Sequence, residues 1–161
     1  MAYWLIKSEP VTYGIDHMAR DKKTWWNGVR NYQARNLMRD QMQVGDGVLF
    51  YHSSAEPTGV AGIAEIASGA RPDATQFDPA DDHYDAASRR EDPRWFGVEV
   101  RATERLPRFV TLEELRADAA LRGMAVLQRG NRLSITPVRE SEWRRVREMA
   151  GLAKPARRSR A

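Results

Sequence analysis

Apolar residues come in short blocks separated by turn residues, and helical spacing is confined to a few stretches. Tyr3-Trp4-Leu5-Ile6-Lys7 is a β-prone run, and Ser8-Glu9-Pro10 breaks it because proline pushes its predecessor out of helical geometry. Ile15, Met18 and Ala19 share one side of a short helix over residues 12–19. Trp25-Trp26-Asn27-Gly28 reads as an irregular turn, since Asn-Gly favours positive φ and adjacent indoles cannot both face solvent cheaply. From Asn31, the spacing of Ala34, Leu37, Met38 and Met42 predicts a helix with one buried stripe, flanked by Tyr32, Arg35 and Arg39 and stopped before Gly45. Val48 to Tyr51 and Val60 to Ile66 then form an antiparallel hairpin around a loop containing Glu56-Pro57-Thr58-Gly59. Small residues at 61, 62 and 64 are expected to let another backbone approach.

Residues 71–94 make a polar, proline-punctuated excursion of a length that is usually functional or mobile. Phe77, Tyr84 and Trp95 are expected to pin it to the body. A strand follows over Trp95 to Ala102, with Phe96, Val98 and Val100 on one face. Thr111-Leu112-Glu113-Glu114 is a capping box opening a helix, and Met124 to Leu127 is a further short element. Leu133-Ser134-Ile135 is a late strand that Pro137 ends, and Trp143, Val146 and Ala150 form the stripe of a last helix. Five or so strands with interspersed helices imply a mixed α+β domain around a small curved sheet or barrel.

Composition narrows the function classes. At 161 residues the chain is expected to be one domain. No run approaches the roughly 18 apolar residues of a membrane span, so no membrane partner is expected and the location is taken as cytoplasmic. With zero cysteines, disulfides, thiolate nucleophiles and cysteine-ligated zinc are excluded. The net charge of +4 is carried by the end of the chain. Residues 154–161 hold Lys154, Arg157, Arg158 and Arg160 and no acid, which leaves 22 basic against 22 acidic residues in the body. A balanced body argues against non-specific nucleic-acid binding through a broad basic face. The expected division is a folded domain over 1–153 and a basic, disordered tail over 154–161.

Candidate chemistry concentrates in residues 25–36, where two tryptophans, three asparagines and two arginines surround a glycine. This is recognition chemistry for a binding pocket, the alternative being that both tryptophans are core and the polar residues cap the helix. Gly59 and Gly62 do not form a dinucleotide fingerprint, because a third glycine and a following helix are missing. His83 among Asp81, Asp82 and Asp85 lacks a second histidine at ligand spacing, so no metal or other cofactor is expected. His52 beside Ser53 and Ser54 is the one arrangement compatible with a hydrolase or nucleic-acid-processing enzyme, but no nucleophile elbow or orienting acid accompanies it.

A family resemblance rests on motifs in a fixed order: Trp4 to Pro10, Trp26 to Asn36, Tyr51-His52-Ser53, Gly59 to Ile63, Thr75 to Asp78, His83-Tyr84-Asp85, Asp92 to Trp95, and Leu133-Ser134-Ile135. In these the chain resembles a free-standing EVE domain over residues 3–150, like bacterial members of that family. The resemblance implies a PUA-like β-barrel of about five to six strands flanked by helices, related to the YTH readers. It also implies a pocket for one modified base, often a cytosine derivative, with Trp26 matching a cage tryptophan and so forming its wall, Trp25 left as core, Ser8 and Glu9 the polar corner after the first strand, and Trp95 falling near a second cage tryptophan.

Physical chemistry is compatible with that implication. An indole supplies about 1–3 kcal/mol per stacked base, and neutral polar groups can read a base edge without burying an unpaired charge. The candidate pocket is Trp26, Ser8, Asn27, Asn31, Glu9, Tyr51, His52, Ser53, Ser134 and Trp95, with Lys7, Arg30, Arg35 and Arg132 at its rim or on flanking phosphates. The expected protein is a monomeric, non-catalytic module that binds DNA or RNA carrying a modified base, any downstream activity being supplied by a protein partner.

Overall fold

The computed structural model describes residues 1–152, so the basic tail expected over 154–161 lies outside the described residues. Seven strands form the sheet. Six lie in the order β2 (Lys23–Trp26), β6 (Phe96–Thr111), β4 (Gly59–Ile66), β3 (Gly47–His52), β1 (Tyr3–Ser8) and β7 (Ile135–Val138), while β5 (Arg71–Pro72) pairs with β6. Strand β1 runs parallel to β3, with Lys7 opposite Tyr51 and Ser8 opposite His52, and the remaining pairs are antiparallel. The path is open between β2 and β7, so the sheet curves as in a PUA-type fold without closing its hydrogen-bond ladder.

Both faces of β1 are buried, which is why its sequence is a continuous apolar run. Trp4 and Ile6 join Phe50, Val98, Val100, Met18 and Met38 in one core, while Leu5 joins Leu49, Val60, Val110, Leu115 and Val146 in a second. Helices α1 (Pro10–Tyr13), α2 (Ile15–Asp21) and α3 (Tyr32–Asn36) precede β3, whereas α4 (Leu112–Ala117) and α5 (Glu140–Met149) cover the second core. Asn31 caps α3 by accepting from the Ala34 N–H at 3.1 Å, and the chain continues into a wider turn over Leu37–Gln41. Ala34, Met38 and Met42 are buried, as their spacing predicts.

Several local expectations change. Trp25 and Trp26 lie in β2, opposite Glu99 and Val98, and the turn starts only at Asn27. Strand β6 continues to Thr111, well past Ala102, because its second half pairs with β4 through two register shifts while facing solvent, so no apolar alternation marks it. Pro137 lies inside β7, which tolerates it as an edge strand, and Ser134 precedes that strand. Only half of the capping box forms. The Thr111 hydroxyl accepts from the Glu114 N–H at 3.2 Å, but the Glu114 carboxylate pairs with Arg108 at 2.7 Å. At Gly62 the close neighbour is a side chain and not a backbone, since a Cβ there would stand 2.1 Å from Ile15 Cδ1.

Candidate nucleic-acid interface

A cleft of about 490 Å³ opens where β1 ends, between that strand, α1 and the tip of β2. This volume is within the usual range for small-ligand clefts, roughly 300–1,000 Å³. Lys7, Ser8 and Glu9 form one side, Thr12 and Tyr13 of α1 a second, and Thr24, Trp25 and Trp26 of β2 a third, with Asn27, Gly28 and His83 at the far rim.

Each wall has a local cause. Helix α1 is set by Pro10 at its first turn, by the Thr12 and Tyr13 N–H groups donating to Glu9 O, and by the Ser8 hydroxyl donating to Tyr13 O. Trp26 is half-buried, held edge-on to Phe50 at 5.8 Å between centroids and to Tyr13 at 6.1 Å. Trp25 is also half-buried. It rests on Gly97, where a Cβ would come within 2.8 Å of the indole, and carries the Arg71 guanidinium over its ring at 4.7 Å. The expectation that Trp25 is core therefore fails, because β2 is an end strand of the sheet and leaves both indoles partly open.

The far rim is held by a carboxylate that sequence reading passed over. Asp73 has no solvent exposure and accepts from the Gly28 N–H at 2.8 Å, Arg30 Nη1 at 3.0 Å, the Thr75 N–H at 2.9 Å and the Thr75 hydroxyl at 2.6 Å. Burial alone would raise its pKa, but these hydrogen bonds outweigh it and hold the carboxyl below the ordinary aspartate value. Arg30 also donates to His83 O at 2.8 Å, which lays the His83 ring against Gly28. Gly28 has φ +78°, and a Cβ there would stand 2.9 Å from His83 Nε2. Buried Gln76 completes the pinning of the excursion by donating to Trp95 O at 2.9 Å and accepting from the Trp95 N–H at 3.1 Å. These polar anchors add to the apolar ones expected: Trp95 is buried and Phe77 half-buried, while Tyr84 is exposed.

Of the candidate residues, Trp26, Asn27, Lys7, Ser8 and Glu9 line the cleft, and burial lowers the pKa of Lys7. The others lie elsewhere. Tyr51 is in the second core. His52 Nε2 accepts from the Ile15 N–H at 3.0 Å with Phe109 tilted against the ring, and no hydrogen bond links it to Ser53 or Ser54 among the described residues. Ser53 and Ser134 touch the site through backbone only, the Ser53 N–H donating to Ser8 O at 2.9 Å and Ser134 O accepting from the Lys7 N–H at 2.8 Å. Trp95 is buried, donates from Nε1 to Asp85 at 2.8 Å and stacks under Tyr32 at 4.8 Å. Arg35 donates to Arg94 O at 2.8 Å. Asn31 and Arg132 line a separate cleft. The cleft residues not picked out from sequence are Thr12, Tyr13, Thr24, Trp25, Gly28 and His83. Among the described residues, no three His, Cys, Asp or Glu side chains gather as a metal site, and no helix is long and apolar enough to cross a membrane.

The sequence profile of the EVE domain matches residues 2–149. The chain belongs to the EVE domain family. Chicken (Gallus gallus) thymocyte nuclear protein 1 is 39% identical over 160 residues, covering 88% of this chain, which spans 65% of that protein's length. The structure of human THYN1 protein in complex with 5-methylcytosine containing DNA superposes with a TM-score of 0.88 at 34% identity, over 96% of this chain and all of that one (100%). The YTH domain of Zygosaccharomyces rouxii MRB1 protein, 16% identical with a TM-score of 0.54 over 96% of this chain and 87% of its own, shares the fold.

Proposed function

We propose that this EVE domain is a non-catalytic reader of a modified base, received in the cleft between β1, α1 and the tip of β2. The observation that carries the reading is the pairing of half-buried Trp25 and Trp26 with hydroxyl, amide and charged groups around one cleft, with room for a base. Flat apolar walls with a few fixed donors and acceptors are what a base held outside its strand requires. Trp26 supplies the wall, Asn27, Thr12 and Thr24 the neutral polar contacts, and Lys7 and Glu9 the charged ones. Support for a cytosine derivative comes from the human relative, whose structure is with DNA containing 5-methylcytosine. No chemistry is assigned to His52, whose Nε2 is already occupied by a backbone donor.

The test is a titration of the purified protein against matched DNA and RNA oligonucleotides with cytosine or 5-methylcytosine at one position. The parent is expected to prefer the methylated strand. Trp26→Ala is expected to lose about 1–3 kcal/mol of that binding, roughly 5- to 150-fold. Because Trp26 also packs on Phe50, circular dichroism must show the variant folded, and Trp26→Phe is expected to restore part of the affinity. Equal affinity of the parent for both strands would overturn the reading.

A further inference from the structure

A second cleft, of about 320 Å³, lies beside the first and is lined by Asn31, Gln33, Gly130, Asn131, Arg132 and Leu133. Two connections make them neighbours. The turn Asn27-Gly28 of the first cleft leads through Val29 and Arg30 into Asn31, and Ser134, next to Leu133, accepts the Lys7 N–H at 2.8 Å. The lining has no acidic residue. Its polar groups are side-chain amides and one guanidinium, rich in donors.

The loop that carries them is prearranged. Asn131 donates from Nδ2 to Ala125 O at 2.9 Å and accepts from the Leu133 N–H at 3.0 Å, so its side chain braces the turn in which Gly130 has φ +79°. Arg132, by contrast, is exposed and makes no hydrogen bond or ion pair among the described residues. Arg30 and Arg35 are committed to Asp73 and to Arg94 O, and Arg129, though next to Gly130, is not among the lining residues.

We infer that the Asn31–Gln33 and Gly130–Arg132 cleft is a phosphodiester subsite, which takes the backbone of the nucleotide next to the one read in the first cleft. It rests on the proposed reader function for the identity of the strand, and its own content is where that strand runs. Arg132 is the charged contact, with Gln33 and the free amide of Asn31 donating alongside it. Such a contact is blind to the base, so it raises affinity equally for modified and unmodified strands.

The experiment measures affinity of the parent, Arg132→Ala, Arg132→Lys and the distant Arg105→Ala for methylated and unmethylated single-stranded DNA from 50 to 300 mM salt. Each lost phosphate contact on a single strand reduces the slope of log K against log salt by about 0.7. Arg132→Ala is expected to show that reduction and to bind both strands about fivefold more weakly, with the methylated-to-unmethylated ratio unchanged. Arg132→Lys is expected to keep the slope, and Arg105→Ala to match the parent. An unchanged slope in Arg132→Ala, or an equal reduction in Arg105→Ala, overturns the subsite. Loss of methyl preference in the parent overturns the reader function instead, and a slope reduction on the unmodified strand supports the subsite even then.

Discussion

Asp73 has no solvent exposure and is the point where the long excursion fastens to the rim of the candidate site, so Asp73→Ala tests whether that rim is built as described. The substitution removes the acceptor of two backbone N–H groups, one hydroxyl and the Arg30 guanidinium. Removing one partner of a buried ion pair costs about 3–5 kcal/mol, because the other is left desolvated and unpaired. The Arg30 side chain keeps 23% exposure and can recover some hydration, so the lower end, about 3 kcal/mol, is expected. At a urea m-value of about 2 kcal/mol/M, this lowers the unfolding midpoint by about 1.5 M. Arg30→Ala should cost less than Asp73→Ala, since Asp73 then keeps Gly28 and Thr75 as donors. The two should couple by about 1.5–3 kcal/mol in a double-mutant cycle, the value for a charge-assisted hydrogen bond. Additive costs, or an Asp73→Ala midpoint within 0.3 M (~0.5 kcal/mol) of the parent, as for an ordinary surface change, would refute the anchor. The same group has a pH signature. Its folded pKa lies below the ordinary value of 3.8, so its contribution is complete above that value and is lost as pH falls through the folded pKa. Asp73→Asn should therefore unfold with a shallower acid transition than the parent.

Gly28→Ala should weaken oligonucleotide binding together with stability. A left-handed non-glycine residue costs about 1–2 kcal/mol, and the new Cβ would press on His83. The double variant Gly28→Ala/His83→Ala should recover the steric part only, read by thermal unfolding and titration. His52 gives a second pH effect. Burial lowers its folded pKa below 6.5, with Asp16 opposing more weakly, so the unfolded chain takes up its proton first. Stability is then full above pH 6.5 and falls as pH drops below it, levelling off once the folded pKa is passed. His52→Gln should flatten that part of the stability–pH curve, and an unchanged curve would contradict a half-buried imidazole held neutral.

The local signals in this sequence are strong where an element buries a regular pattern. The continuous apolar runs of β1 and the hairpin β3–β4 are legible because both their faces are buried, and the stripe Ala34, Met38 and Met42 because helical burial has a period. Ordered motifs also sufficed to place the chain in its family. Tertiary structure decided what happens where burial is partial. The second half of β6 faces solvent, so its strand geometry comes from pairing with β4 and leaves no alternation to read. Candidate site residues were separated by their place in the sheet: Lys7, Ser8 and Glu9 at the end of β1 all line the cleft, whereas Tyr51 on the neighbouring β3 turns into the second core and His52 is taken up by the Ile15 N–H. Asp73, Gln76 and Gly28 are ordinary loop residues until the excursion folds back over the turn, when one carboxylate and one amide become its buried anchors. Trp25 and Trp26 belong to both halves. Their adjacency singles out residues 25–36 in the sequence, where Trp25 is expected to be core, while only the position of β2 at the end of the sheet leaves both indoles half-buried beside the cleft.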